Sequence, residues 1–423
     1  MSNNNILINF SSFLLIGLPI FLITGPLLSD LAVSLISLIF IFQIFINKDY
    51  KIFKNRWFQF LLIFWIYLFI NSLFNDFNFD SLRISFSYFR FIFFIFAVSF
   101  LLSIKENNLK YFFYCLLFCY IILILDALIQ FFLGQNLLGF KMTPGPRVSS
   151  FFGDDLILGS YLARLFPLLL GIYIFIDKKE NSKFLDIIFI LILILSSVVI
   201  FLSGERTALF YFFLSNIFLI IFLRNYKKTR IITFCFSVMV IILSVFFNPS
   251  LKERMIDLTL TELKLYDNIE KKINKLDDIV FFTEQHTHHY KSAIKIYKDN
   301  YFFGVGIKNF RHVCHKPKYK ISEISCSTHP HNTYIQLLSE LGIIGFLFIS
   351  FLFFYFISFG YKILRSKKML NNKFFDFQLC LIVSILISLW PFSPSGNFFN
   401  NWLSIIYYLP VGFILYTLRL KKS

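Results

Sequence analysis

Residues 325–356 read SCSTHPHNTYIQLLSELGIIGFLFISFLFFYF, and this stretch decides the fold. From Tyr334 onward it is an almost unbroken apolar run past Phe356. A helix needs about 20 apolar residues to cross the hydrocarbon of a bilayer. Asn332 and Thr333 precede the run and are suited to cap a helix. The stretch therefore predicts a membrane helix starting near residue 334, with His329 and His331 just outside it at the water boundary.

The rest of the chain follows the same pattern. Of its 423 residues, 57% are hydrophobic and only 15% charged. Apolar runs recur along it, and the ten-residue alternation of a membrane β-barrel is absent. The expected fold is all-α and polytopic, with about twelve spans near 10–28, 30–46, 57–74, 84–104, 111–133, 156–176, 186–202, 208–223, 231–247, 334–359, 377–390 and 402–418. The start, MSNNNILINF, lacks the basic segment of a cleaved leader, so the first run is read as a span. Three parts result: a bundle over 1–247, a large loop over 248–333, and a second bundle over 334–423.

Charge gives the orientation. One set of loops (48–56, 105–110, 177–183, 224–230, 360–373, 419–423) carries 21 Lys and Arg, and the short loops opposite carry 4. Basic loops stay in the cytoplasm, so both termini are expected inside and the large loop outside. The net charge of +17 is then mainly membrane orientation rather than a nucleic-acid surface. Within the large loop, Ile256, Leu260, Leu263, Tyr266, Ile269, Ile273, Leu276 and Val280 recur at helical spacing and predict an amphipathic helix. A second helix is expected over 288–299.

Charged groups inside hydrocarbon are costly and mark function. Arg90, Asp126, Arg164 and Glu340 lie six, seven, eight and six residues from the outer ends of their spans. All four fall in the outer half, which describes a polar cavity open to the outside. Arg147 in TPGPRVSSFFGDD, with Pro144 and Pro146 to stiffen its loop, and Arg206 in SGERTALF extend the cationic set. Arginine forks suit phosphate oxygens. The alternative for each is pairing with a nearby acid: Asp154 for Arg147, Glu205 for Arg206. His331 near a helix N-terminus can stay neutral and accept a proton, because the helix dipole keeps its pKa from rising; a purely interfacial histidine is the alternative. Cys314 and Cys326 stand just before the His pair and could bond in an oxidising exterior. His312, Cys314, His315 and Cys326 could also suggest zinc, but their spacing follows no zinc pattern.

Together the stretches STHPHNTYIQLLSELGIIG, YKDNYFFGVGIKNF, RVSSFFGDDLILGSYL and SGERTALF resemble the O-antigen ligase and O-antigen polymerase superfamily. The resemblance implies a bacterial inner-membrane glycosyltransferase with its active site at the periplasmic face. It implies transfer of a glycan from an undecaprenyl-diphosphate carrier to a sugar hydroxyl, on a glycan or lipid A–core acceptor, with no metal or other cofactor. It implies His331 as the base and Arg147 and Arg206 as diphosphate ligands, with His329, His289, Arg311, Arg164 and Arg90 as candidate support. Relatives often carry an arginine where this chain reads QHTHHYKSAIKIY; His289, Lys291 or Arg311 would have to replace it. Backbone amides of the Gly304–Gly306 turn are a further candidate phosphate contact. A transporter or flippase is the alternative class, argued against by the one-sided intramembrane charges and the lack of an internal repeat.

Overall fold

The computed structural model describes residues 2–75, 78–105, 107–143, 147–176, 182–223, 227–262, 280, 282–366 and 373–420. Among these residues the architecture is helical, with two isolated bridges, Gln135–Lys141 and Thr143–Arg147, and no strand. In chain order the bundle contains α1 (Ser2–Phe21), α2 (Pro26–Ile46), α3 (Arg56–Phe74), α4 (Phe79–Ser87), α5 (Phe89–Ile104), α6 (Asn107–Leu133), α7 (Leu158–Phe175), α8 (Ser182–Leu202), α9 (Arg206–Phe222) and α10 (Lys227–Phe247). After the loop helix α11 (Glu284–Asp299) come α12 (Thr333–Leu364), α13 (Lys373–Ser388) and α14 (Asn401–Leu420). Nine helical segments among the described residues are long and apolar enough to cross a membrane, α4 and α5 counting as one. The apolar part of α1 (Asn5–Phe21), α9 and α13 are shorter and sit where the remaining spans were expected. The chain is an all-α, multi-pass membrane protein.

The first span departs from expectation. The sequence placed it at 10–28, but α1 ends at Phe21 and α2 begins at Pro26. Gly25, with φ +109°, and Pro26 at the first helical position punctuate the chain there. The Asn-rich start is polar yet helical, and hydropathy alone did not reach it.

Helix α7 is the centre of the bundle: 89% of its apolar window is buried, against 22% for α10. It packs along α13, and α5 packs along α14. Small residues set both crossings. A methyl on Gly171 would stand 2.7 Å from Cys380 Cβ, and one on Gly412 2.7 Å from Val98 Cβ. Close backbone approach of this kind replaces the missing hydrophobic drive between helices in lipid.

The loops that the charge count placed outside meet at one end of the bundle. The Val148 amide donates to Leu202 O at 3.3 Å, Asn71 Nδ2 donates to Phe303 O at 2.6 Å, and Ser395 N donates to His331 O at 2.8 Å. Of the long amphipathic helix expected over 256–280, Leu258–Glu262 is helical and most of the rest lies outside the described residues.

Candidate functional site

Asn332 is the N-cap of α12. Its side-chain oxygen accepts from Tyr334 N at 3.0 Å and Ile335 N at 3.1 Å, which satisfies two of the helix's orphan donors. Its amide nitrogen donates outward to Pro391 O at 2.8 Å and Ser393 O at 3.2 Å. The next residues back are held by the same 391–396 loop. Thr333 Oγ1 and Ser395 Oγ are 2.8 Å apart, and His329 Nε2 is 3.2 Å from Ser395 O. Between them His331 has φ +59°. A non-glycine residue in that region persists only where the surroundings over-determine it, and such residues cluster at functional sites. The PFSPSG loop does the determining. Its role was not legible in the sequence, because nothing in it is charged or aligned with a catalytic pattern.

His331 faces other imidazoles. Its ring centroid is 4.1 Å from that of His329, 5.2 Å from His289 and 5.5 Å from His286. The last two come from α11, which begins at Glu284 rather than 288. Thr283 caps it, and a three-residue spacing puts both histidines on one face. Burial, then repulsion from His329, His286 and His289, brings the His331 pKa down to about 3. Burial also lowers His329 and His289, each to about 4. The imidazoles are therefore neutral at physiological pH, as expected of His331, but the cause is desolvation and neighbouring rings rather than the helix dipole.

The histidines differ in what they hold. His329 is engaged on both sides, with Nδ1 2.9 Å from Thr328 Oγ1 and Nε2 on the Ser395 carbonyl. That arrangement puts the proton on Nε2 and orients the ring. Both ring nitrogens of His289 are buried without a well-formed hydrogen bond, although the Ile324 backbone lies near enough to favour its charged form. His288 turns away to the Ser322 hydroxyl.

The glycines of this region have a structural task. Helix α12 is interrupted at Gly342, with φ +65° and ψ −160°. The FFGVG turn docks backbone to backbone into the break. Val305 N donates to Ser339 O at 3.1 Å, Gly306 N to Glu340 O at 2.8 Å, and Ile343 N to Tyr301 O at 2.9 Å. Tyr67 Oη donates to Leu341 O at 2.6 Å. This corrects the expectation that amides of the Gly304–Gly306 turn hold phosphate: the Val305 and Gly306 amides are already spent on helix carbonyls.

The arginines form two groups. Arg147 Nε donates to Ser203 O at 2.9 Å, and its side chain lies against Gly204, where an added methyl would stand 2.9 Å from Arg147 Cγ. Burial and the positive charges of Arg254 and Arg206 lower its pKa, while Glu205 opposes them. Arg147, Arg206 and Arg254 are thus neighbours. Arg254 is a further cation in the outer loop whose charge reaches Arg147. Arg254 sits in LKERMID, a segment with no recognisable motif, and only the fold brings it to Arg147. The alternative of acid pairing holds for Arg206, but with a different acid from its sequence neighbour. Glu205 does not pair with Arg206. It caps α7, accepting from Gly159 N at 2.6 Å and from Ser160 N and Oγ at 3.1 and 2.7 Å. Arg206 pairs instead with Glu262, whose charge also reaches His286. Pro144 and Pro146 lie outside the described residues.

Arg90, Arg164 and Arg311 form the second group and line a cavity of about 1080 Å³ together with His329. Arg90 is bonded to Asp30 at 2.6 Å. Asp126, also expected at a cavity, is structural. It accepts from Ser150 Oγ at 2.6 Å, Leu137 N at 2.9 Å and Asn136 Nδ2 at 3.2 Å, and so pins the 134–150 loop to α6.

Cys314 and Cys326 are joined in a disulfide with Cα atoms 5.6 Å apart. With His315 they bring their ligand atoms within 4.8 Å of one another. A disulfide removes both thiolates from metal ligation, so this trio offers a single imidazole. His312 and His315 are exposed.

No curated protein matches the chain. Residues 191–350 match the family model described as O-Antigen ligase. That segment runs from α8 through the first half of α12 and contains Arg206, Arg254, α11, the docked glycine turn and His331. The match bears out the resemblance of this multi-pass membrane protein to the O-antigen ligase and polymerase superfamily.

Proposed function

We propose that the protein transfers a glycan from an undecaprenyl-diphosphate carrier to a sugar hydroxyl at the periplasmic face of a bacterial inner membrane. The observation that carries this reading is a neutral, strained His331 linked through His286 and Glu262 to the Arg147–Arg206–Arg254 cluster. In the reaction the acceptor oxygen attacks the anomeric carbon, and the bond from that carbon to the diphosphate oxygen breaks. The hydroxyl proton passes to His331. The arginines take the negative charge that develops on the leaving diphosphate. No metal or nucleotide sugar enters this scheme.

An imidazole with a pKa near 3 is a weak base. A bound diphosphate changes that, because negative charge beside a histidine favours its protonated form. Donor binding thus brings the base toward working pH only when the leaving group is in place.

The test is product formation. Purified protein in proteoliposomes is given a defined undecaprenyl-diphosphate-linked glycan and, in separate arms, the same glycan carrier or lipid A–core as acceptor. Transfer to carrier-linked glycan identifies a polymerase, and transfer to lipid A–core a ligase. Donor that crosses the bilayer without any product would instead mark a flippase.

A further inference from the structure

The cavity of about 1080 Å³ is not lined by Arg147, Arg206 or Arg254. His329 lines it, and His331 is 4.1 Å from that ring. Five cations, Arg83, Arg90, Arg164, Lys308 and Arg311, face two acids, Asp30 and Asp155. Two of the cations are paired: Arg90 with Asp30, and Arg83 at the exposed rim with Asp80 at 3.4 Å. Glu340 lies behind the wall and acts on Lys308 and Arg311.

Arg164 is the least compensated. It is 3% exposed and its Nε meets no partner. One terminal nitrogen reaches Ser388 O only at 3.5 Å, and the guanidinium lies 4.5 Å over the Tyr211 ring. Arg311 Nε is likewise buried without a partner. Leaving a charged donor buried and unsatisfied is costly, and a ligand with anionic oxygens removes the cost. The wall also carries Asn, Ser and Thr groups suited to sugar hydroxyls, but its five cations outnumber its two carboxylates, and guanidinium forks and an ammonium match phosphate or carboxylate. Its volume of about 1080 Å³ leaves room for sugar beside such a group.

We propose that this cavity binds the acceptor glycan through an anionic group on it, a phosphate or a carboxylate, held by Arg164, Lys308 and Arg311. The word acceptor rests on the transfer reading; the anion site does not. The two cationic clusters would then hold two negatively charged substrates apart, with the histidines between them.

The test measures binding without donor or turnover, so it stands or falls separately from transfer. Full-length protein in nanodiscs is titrated with radiolabelled glucose 1-phosphate, glucuronate and glucose. The charged sugars should bind at least about tenfold more tightly than glucose, the worth of one charge-assisted hydrogen bond. The tighter of the two names the group. Lys308→Gln with Arg311→Gln should bring the charged sugars down to the level of glucose. Arg83→Glu, at the exposed rim and harmless to packing, should weaken them as well, and Arg206→Lys should leave them unchanged. Equal binding of glucose and the charged sugars, or unchanged binding in both cavity variants, would overturn the proposal. Displacement of the charged sugars by undecaprenyl diphosphate, in wild type and Arg206→Lys alike, would overturn it too, because the cavity would then belong to the donor.

Discussion

Gly304→Ala should damage the protein more than any surface change of its size. The glycine has φ +67°, and an alanine Cβ there would stand 2.5 Å from both Glu340 O and Leu341 N, and nearer still to the Glu340 carbonyl carbon. The left-handed backbone alone costs alanine about 1–2 kcal/mol. The collision is with backbone at the break in α12, which cannot rotate aside, so the turn must retreat. Retreat strips Val305 N and Gly306 N of the Ser339 and Glu340 carbonyls, at about 1–3 kcal/mol for each donor left unsatisfied. The sum is roughly 3–8 kcal/mol, comparable with the whole stability of many proteins. Gly360→Ala is the control: it lies in the same helix, and its nearest neighbour to an added methyl is 3.6 Å away. Thermal unfolding of purified protein in detergent, followed by size-exclusion fluorescence, should fall by roughly 5–15 °C for Gly304→Ala and stay near wild type for Gly360→Ala. A Gly304→Ala protein that melts like wild type but no longer binds undecaprenyl diphosphate would refute the joint and restore the turn as a phosphate cradle.

Arg254→Ala should lower kcat/KM for the donor at least about tenfold, as loss of one charge-assisted contact does, and Arg206→Lys should also be impaired because a point charge does not reproduce a fork; steady-state kinetics with purified donor measures both, and wild-type values for Arg254→Ala would remove it from the cluster. The acid limb of kcat should lie at higher pH than that of kcat/KM, since the first reports the donor-bound enzyme and the second the free one; coincident limbs would mean that the donor does not raise the base. Stability should fall as pH drops from about 6.5 toward 4, because the unfolded chain binds protons there that buried His289 and His329, each near 4, do not. His289→Gln should flatten that fall in a pH series of melting curves, and an unchanged slope would count against the buried neutral cluster. Reducing the Cys314–Cys326 link should cost about 3 kcal/mol in the chain-entropy model and slow transfer by loosening the segment before His331; equal melting points of the oxidised protein and of Cys314→Ser with Cys326→Ser would deny it that role.

The fold was legible because hydrocarbon imposes a simple rule on sequence. Runs such as Tyr334–Phe356 left little choice of class. The edges were harder: α1 extends back through polar asparagines and stops at Gly25-Pro26, a matter of backbone rather than hydropathy. At the site, His331 and the arginines of RVSS and SGERT stood out by residue type and position. Arg254 did not, since an arginine on a polar helix face looks like any solvated charge until the fold brings it to Arg147. The acid that pairs with Arg206 was hidden for the same reason: Glu205, the alternative suggested by adjacency, turns its carboxylate to the α7 amides, while Glu262 arrives from 56 residues away. The 391–396 loop was silent because its contribution is made by carbonyls, an amide and a serine hydroxyl, none of which marks a site in sequence.

The most direct test of the account is the single-turnover rate of glycan transfer by His331→Ala, in proteoliposomes with purified undecaprenyl-diphosphate-linked donor and at matched, folded protein level. Loss of a general base predicts a fall of about 10² to 10⁴ in rate, with donor binding retained through the arginines and with no effect of chelators on the wild type. Wild-type turnover in His331→Ala, or activity abolished by a chelator, would contradict it.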